Sequence, residues 1–285
     1  MSLDFLSTRD MQRHDAVAES SVLIDSRDRN RSRFPSSTQY EIELPEVFHN
    51  VTEAYLTSAE VPASFYVFSS LAKNTTLDVT IGDDTRTLEL PDGNYSLNSI
   101  GSTLQGLLDD LFEDTTTRFD VRVNPNTYRL FLHADTADQT FQITTPEFVS
   151  GTGHWGLGYF LGLDRNQTYE ADANGVIEGS RPVSLNPDTY LLLEIEELGR
   201  VSEPAPLGVG GAGGFHTFAK IPIPVDSFSM IQKDRVLTKN TLTPPVTRLR
   251  KLRIAWKFHD GRPVDFQNLD HSFTLHLTHT PLRTN

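Results

Sequence analysis

Segment after segment of this sequence alternates apolar and polar residues with a period of two, and each run is cut short by proline, glycine or asparagine. Tyr40-Glu41-Ile42-Glu43-Leu44 is the plainest case, and Pro45 is expected to end it. Leu77 to Ile81 and Thr85 to Leu90 repeat the pattern around Gly82-Asp83-Asp84, and Phe119 to Val123 and Tyr128 to His133 repeat it around Asn124-Pro125-Asn126. A period of two puts alternate side chains on opposite faces of a strand, and a short polar turn between two such runs predicts a hairpin. Further strands are expected at Val51 to Val61, Thr140 to Thr144, Thr189 to Glu197, Phe228 to Ile231, Leu237 to Leu242, Leu249 to Phe258 and Phe273 to Thr278. Phe215 to Val225 is expected at a sheet edge, because Pro222 and Pro224 cannot donate to a ladder.

One segment breaks the rule. Leu97, Ile100, Leu104, Leu107, Leu108 and Leu111 recur at spacings of three and four, which predicts an amphipathic helix over residues 96–112, capped by Ser96 or Asn98. Trp155 to Leu163 is apolar and glycine-rich, consistent with a short helix and a loop whose aromatic rings pack as a plug. Many short strands and one convincing helix predict an all-β, mainly antiparallel protein of β-sandwich or jelly-roll-like form with long loops. The loops are expected at 145–188 and at 199–214, which includes the glycine run Gly208 to Gly214. Residues 1–20 are polar and read as a flexible arm, and 21–285 as the sandwich, in one body or two lobes with a boundary near 146–188.

Composition narrows the function. With 37% hydrophobic residues the chain can bury a core, and a formal net charge of -13 gives no broad positive field for nucleic acid and is repelled by anionic membranes. The absence of cysteine excludes disulfides and thiolate metal sites. No signal peptide is read in the first residues, and no run of about 18 apolar residues predicts a spanning helix. The compartment expected is the cytosol or a particle assembled there.

Catalytic chemistry finds little footing. There is no Gly-x-Ser-x-Gly nucleophile elbow, and the glycine run lacks the Lys-Ser/Thr pair of a phosphate loop. His259, His271, His276 and His279 cluster late, but His276 and His279 are an odd number apart and so face opposite sides of a strand. Asp270 stands where it would orient His271. The acidic residues match no calcium-loop spacing. The chain is therefore expected to be no enzyme and to need no cofactor and no metal.

Two basic clusters remain, Arg27, Arg29, Arg31 and Arg33 near the start and Arg248, Arg250, Lys251 and Arg253 later. They fit either a solvated face whose charges pair locally or a docking patch whose arginine forks grip carboxylates on a partner.

The first cluster sits in Ile24-Asp25-Ser26-Arg27-Asp28-Arg29-Asn30, which is similar to the opening of virion proteins of nucleocytoplasmic large DNA viruses. Leu44-Pro45, Asn50-Val51, Ser58 to Tyr66, Pro91-Asp92-Gly93-Asn94-Tyr95, Tyr159 to Leu163, and Asp260 to Phe266 with Asp270 to Leu275 follow in the order those proteins show. The chain thus resembles their minor capsid proteins over roughly residues 22 to 280. The resemblance implies a capsid structural protein that bridges or cements neighbouring capsomers, with the major capsid protein and other minor capsid proteins as partners, assembled into virions in the host cytoplasm. Homo-oligomers, a vertex (penton) position, and a carbohydrate-binding attachment module with Trp155 or Tyr159 lining a shallow groove stay open as alternatives.

Overall fold

The computed structural model describes residues 17–136, 139–145, 155–185, 188–199, 201–203, 215–223, 230–233 and 239–281. In chain order it forms β1 (Ala18–Asp25), β2 (Gln39–Pro62), β3 (Thr76–Ile81), β4 (Asp84–Glu89), α1 (Leu97–Leu111), β5 (Arg118–Val123), β6 (Arg129–Asp135) and β7 (Phe141–Thr144). There follow α2 (Gly156–Phe160), β8 (Thr168–Glu170), β9 (Val176–Pro182), β10 (Tyr190–Ile195), β11 (Val201–Glu203), β12 (Phe215–Pro222), β13 (Met230–Lys233), β14 (Asn240–Lys257) and β15 (Ser272–His279). The protein is all-β and mainly antiparallel, of the jelly-roll-like sandwich class.

The largest sheet runs β1-β15-β2-β14-β10-β12-β11, with β13 also pairing β2. Its organising strand is β2, 24 residues long. The first half of β2 pairs with β14, from Gln39↔Ala255 to Val51↔Val246, and the second half pairs with β15, from Glu53↔Thr278 to Glu60↔Ser272. Laid straight, the twenty steps from Tyr40 to Glu60 would span roughly 66 Å. Yet the Tyr40 ring lies 5.6 Å from that of His271, and the next residue, Ser272, bonds Glu60 at 2.9 Å. β2 therefore curls back until its ends meet, folding the sheet over its own core.

Bulges keep the inner face apolar through the curl. Inward positions switch from even (Tyr40, Ile42, Leu44, Phe48) to odd at Val51, back to even at Ala54 and Leu56, and to odd again at Ala59 and Val61. Register breaks accompany the second and third switches, the first falls at Asn50 with its φ of 50°, and a further break between Glu43 and Phe48 leaves the parity unchanged. This further break explains why Pro45 does not end the strand. Glu43 faces Lys251 and Phe48 faces Leu249, so Leu44 to Val47 stand opposite Arg250 alone, and no ladder bond is asked of the proline. The enclosed core includes Ile24, Phe48, Leu56, Ile195, Ile254, Trp256, Phe266 and Phe273.

A second core, whose buried members among the described residues run from Phe68 to Leu185, lies in the chain between β2 and β10. Sheets β4-β3-β7-β8 and β5-β6-β9 contribute to it, and α1 packs against β5. The helix starts where Ser96 and Ser99 form a reciprocal capping box. Gly101 lets it approach closely, since a Cβ there would stand 2.9 Å from the Val121 carbonyl oxygen. Ile100, Leu104 and Leu108 are buried, whereas Leu107 and Leu111, both expected inside, are half-buried on the flank. Leu157, Phe160, Leu161 and Leu163, in and after α2, enter this core, but of the aromatic rings expected to pack as a plug only Phe160 is buried, Tyr159 being half-buried and Trp155 exposed.

Other expectations change. Residues 164–188, read as loop, contain β8 and β9; β9 buries only Ile177 and Gly179 of its seven residues, too few to leave an alternation in the sequence. β12 lies between β10 and β11 only at Phe215 to Thr217; Ala219 to Pro222 pair with β10 alone among the described residues, so the expected edge position holds at the proline end, where Pro222 stands opposite Tyr190. Leu237 to Leu242 and Leu249 to Phe258 merge largely into the single strand β14. Of the expected arm, residues 1–16 lie outside the described residues, as do most of the loop at 199–214 and all of its glycine run, while Ala18 to Ser20 already belong to β1.

The helix face can be tested by truncation. Leu108, 1% exposed, should lose about 2–5 kcal/mol of stability on Leu108→Ala, and half-buried Leu107 distinctly less on Leu107→Ala, by urea unfolding. Equal losses at the two positions would mean the face is misassigned.

Candidate protein interface and the N-terminal clamp

The Ile24 to Asn30 motif folds into a clamp. Asp25 caps a short 3-10 turn at Ser26–Asp28 by accepting from the Arg27 amide at 2.8 Å. Ser26 is fully buried. Its amide donates to the His271 carbonyl at 2.9 Å, its hydroxyl donates to Asp270 Oδ1 at 2.9 Å, and the His271 amide donates to that hydroxyl at 2.9 Å. Arg29, its side chain only 3% exposed, completes the knot. Nη1 donates to the Ser26 carbonyl at 2.6 Å and to Asp270 Oδ1 at 2.5 Å, while Nε and Nη2 donate to the Phe34 and Pro35 carbonyls, each at 3.1 Å. Four of its five N–H groups are thus committed inside the fold. This corrects the expectation that Arg29 belongs to a contact surface: it is a structural arginine.

The remaining arginines of the two clusters lie at the surface. Arg27 chelates Asp25 on its own strand, and Arg31 reaches Asp270 Oδ2 at 3.0 Å. Although burial opposes ionisation, the bonds from Arg29 and Ser26 and the charges of Arg29 and Arg31 hold the Asp270 carboxyl below its ordinary range. Arg33 and Lys251 share Glu41, at 3.7 and 2.8 Å, so the fold brings the end of the first cluster onto the face that carries the second. There Arg250 pairs with Glu43 at 3.7 Å, and Arg253 with Glu196 and Glu197, both at 2.8 Å. Arg248, opposite His49, is exposed and makes no ion pair among the described residues. Most of these charges are paired locally, which favours the solvated-face reading for them individually. As a set they still leave a strip of exposed guanidinium groups along β2 and β14.

Beside the clamp sits His271, 3% exposed, ringed by Tyr40, Trp256, Phe266 and Phe273 with ring centroids 5.0–6.4 Å away. Nε2 bonds the Ser37 carbonyl at 3.0 Å, so Asp270 does not orient this ring as expected; it serves Arg29 instead. Burial pushes the imidazole down to about 4 from 6.5. Tyr40 Oη, Trp256 Nε1 and His271 Nδ1 are buried without a hydrogen-bond partner among the described residues. The other late histidines disperse: His276 stacks on Tyr55 and His279 packs edge-on against Phe48.

Trp155 and Tyr159 do line a shallow cleft of about 480 Å³, with Asp164, Arg165, Asn166 and Arg181. The two rings meet at a tilt of 38°, their centroids 4.6 Å apart. Arg165 lies 4.3 Å over the indole and Arg181 4.5 Å over the phenol, so guanidinium groups take ring face that a sugar would need.

Comparison with known proteins places the chain. The model of a family of unknown function (DUF5901) matches residues 10–194, more than half of the sequence, and the chain belongs to that family. No curated protein matches it. Among solved structures, the penton protein of mavirus, crystallised as selenomethionine-labelled protein, is similar in fold. The TM-score is 0.50 at 10% identity, over 92% of this chain and 99% of the penton chain.

The clamp makes two expectations measurable. Arg29→Ala takes the buried guanidinium from the Ser26, Phe34 and Pro35 carbonyls and from Asp270, which keeps only Ser26 and the exposed Arg31, and should destabilise the protein by about 3–5 kcal/mol. Arg31→Ala, at an arginine 60% exposed, should cost less than about 1 kcal/mol, both by denaturant unfolding. Because the unfolded state takes up the His271 proton below about 6.5 and the folded state only below about 4, stability should fall as pH drops between those values and level off beneath them. The loss assigned to this residue is about 3 kcal/mol. Unfolding curves of the wild type and His271→Phe across that range isolate it. An undiminished slope in the variant would mean that other groups carry the acid sensitivity.

Proposed function

We propose that this DUF5901 protein is a structural component of a viral shell, and that it occupies a vertex, as a penton does. The observation that carries the reading is the extent of the likeness to the mavirus penton protein: 92% of one chain lies on 99% of the other, so one whole protein matches another rather than a shared module. The architecture suits the role. The buried polar groups of the clamp lock the chain rather than arrange a nucleophile and a base, which supports a structural protein over an enzyme.

The exposed arginines 27, 31, 33, 248, 250 and 253 are the proposed contacts with acidic surfaces of a major capsid protein or another shell component, made in a virion assembled in the host cytoplasm. The paired arginines are themselves 49–71% exposed, and pairs made by such exposed groups are worth little, so exchange for carboxylates on a neighbour is cheap. A second reading, a minor capsid protein bridging capsomers away from the vertex, is favoured by the similarity of Ile24 to Asn30 to the opening of such proteins.

Native mass spectrometry of the purified protein and localised reconstruction of purified particles separate the two. A pentamer, with density matching this fold on the five-fold axes, is the expected result. Density between facets would replace the vertex reading with the bridging one, and absence from purified particles would overturn both.

A further inference from the structure

We infer that the free edge of β1 accepts an extended segment of a neighbouring protein, one that alternates apolar with basic side chains, as an added strand. The inference rests on the shell-protein reading for its biological partner, but its geometry stands alone.

β1 pairs with β15 over all eight residues, from Ala18↔His279 to Asp25↔Ser272, without a register break, and its other edge pairs with nothing among the described residues. The bond from the Ser26 amide to the His271 carbonyl fixes the phase of this ladder. Even-numbered residues turn their backbone groups to β15, and Glu19, Ser21 and Leu23 turn theirs outward. Natural edges are commonly blunted by proline, lysine or a bulge. This one has none of them, and it displays Leu23 at 68% exposure.

Beneath the edge runs a groove of about 570 Å³. Ile24, Phe34, Ile42 and Leu44 are among its lining residues, and β2 forms its far wall. That wall is a second open edge. The Trp256 amide donates to the Thr38 carbonyl at 3.0 Å, so Glu41 and Glu43 turn their backbone groups away from β14, and no strand among the described residues pairs with them there. An inserted strand would thus find main-chain partners at the β1 edge and apolar contacts below, the two components of recognition by strand addition.

Charge selects the partner. The lining carries the carboxylates of Asp25, Asp28, Glu41 and Glu43 against the single guanidinium of Arg33. Arg27, Arg250 and Lys251 approach three of these carboxylates from outside, and Asp28 has no ion pair among the described residues. A second copy is disfavoured, because each copy carries a net charge of -13 and sets Glu19 and Asp25 on the same edge.

The test uses the full chain and a synthetic ten-residue peptide alternating valine and lysine, read by amide hydrogen exchange. The Ser21 and Leu23 amides should exchange freely in the isolated protein and slow by roughly tenfold or more with saturating peptide, while the Val22 and Ile24 amides, already bonded to β15, change little. Leu23→Pro removes only an outward N–H and should abolish the effect; Leu23→Lys, which keeps the amide but adds an edge charge, should weaken it and serves if the proline variant does not fold. Equal protection by a valine–glutamate peptide would overturn the charge selection. Protection of Ser21 and Leu23 in the free protein would overturn the open edge, assigning it to the chain's own residues if insensitive to dilution and to a second copy if lost on dilution. A positive peptide result for a protein absent from particles would remove the shell reading and leave the groove standing.

Discussion

A strand of 24 residues cannot serve one flat sheet in a protein of this size, and most of the larger core follows from how β2 escapes that constraint. By curling until Tyr40 and Glu60 lie on either side of the His271–Ser272 step, it makes one hydrogen-bonded sheet enclose its own apolar face. The register breaks that permit the curl also decide which residues point inward. A change that suppressed one of them would therefore turn a run of inward side chains outward together, with no local change in composition.

Where the ends of β2 converge, β1, β2, β14 and β15 meet, and the buried polar network is concentrated there. Arg29, Asp270 and Ser26 tie the turn after β1 to the residues before β15, while the cage around His271 packs Tyr40 from β2 against Trp256 from β14. A buried ion pair gives little net stability over an apolar substitute, but breaking it is expensive. Such a knot acts as a specificity device: the sheet closes in one register or leaves a charge stranded.

The sequence displayed the strands and α1 where a single face is buried, as in Tyr40 to Leu44 and Leu97 to Leu111, because burial of one face writes its period into the residues. It concealed β9, whose buried face is reduced to Ile177 and Gly179, and the continuity of β2 through Pro45, which depends on what Arg250 does on another strand. The arginine clusters were visible as charge, but nothing local distinguishes Arg29 from Arg27 or Arg31. That difference is made by Asp270, 241 positions away. The cage of His271 was equally hidden, since its walls come from four separate stretches of chain.

The distance between the halves of the clamp has a consequence for the order in which the molecule is made. Among the described residues, the buried members of the smaller core all come from Phe68 to Leu185, so a ribosome that has released that stretch has released all of them. The larger core draws on Val22 to Phe65 and on Leu191 to Leu277, and among the described residues β1 pairs with β15 alone. During synthesis the Ile24 to Asn30 motif must therefore wait, its arginine unpaired, until Asp270 and β15 have emerged, and the body formed in the meantime sits in the middle of the open loop. Closing so long a loop is entropically slow. The first half of the clamp is thus made well before the second and finds its place only with it.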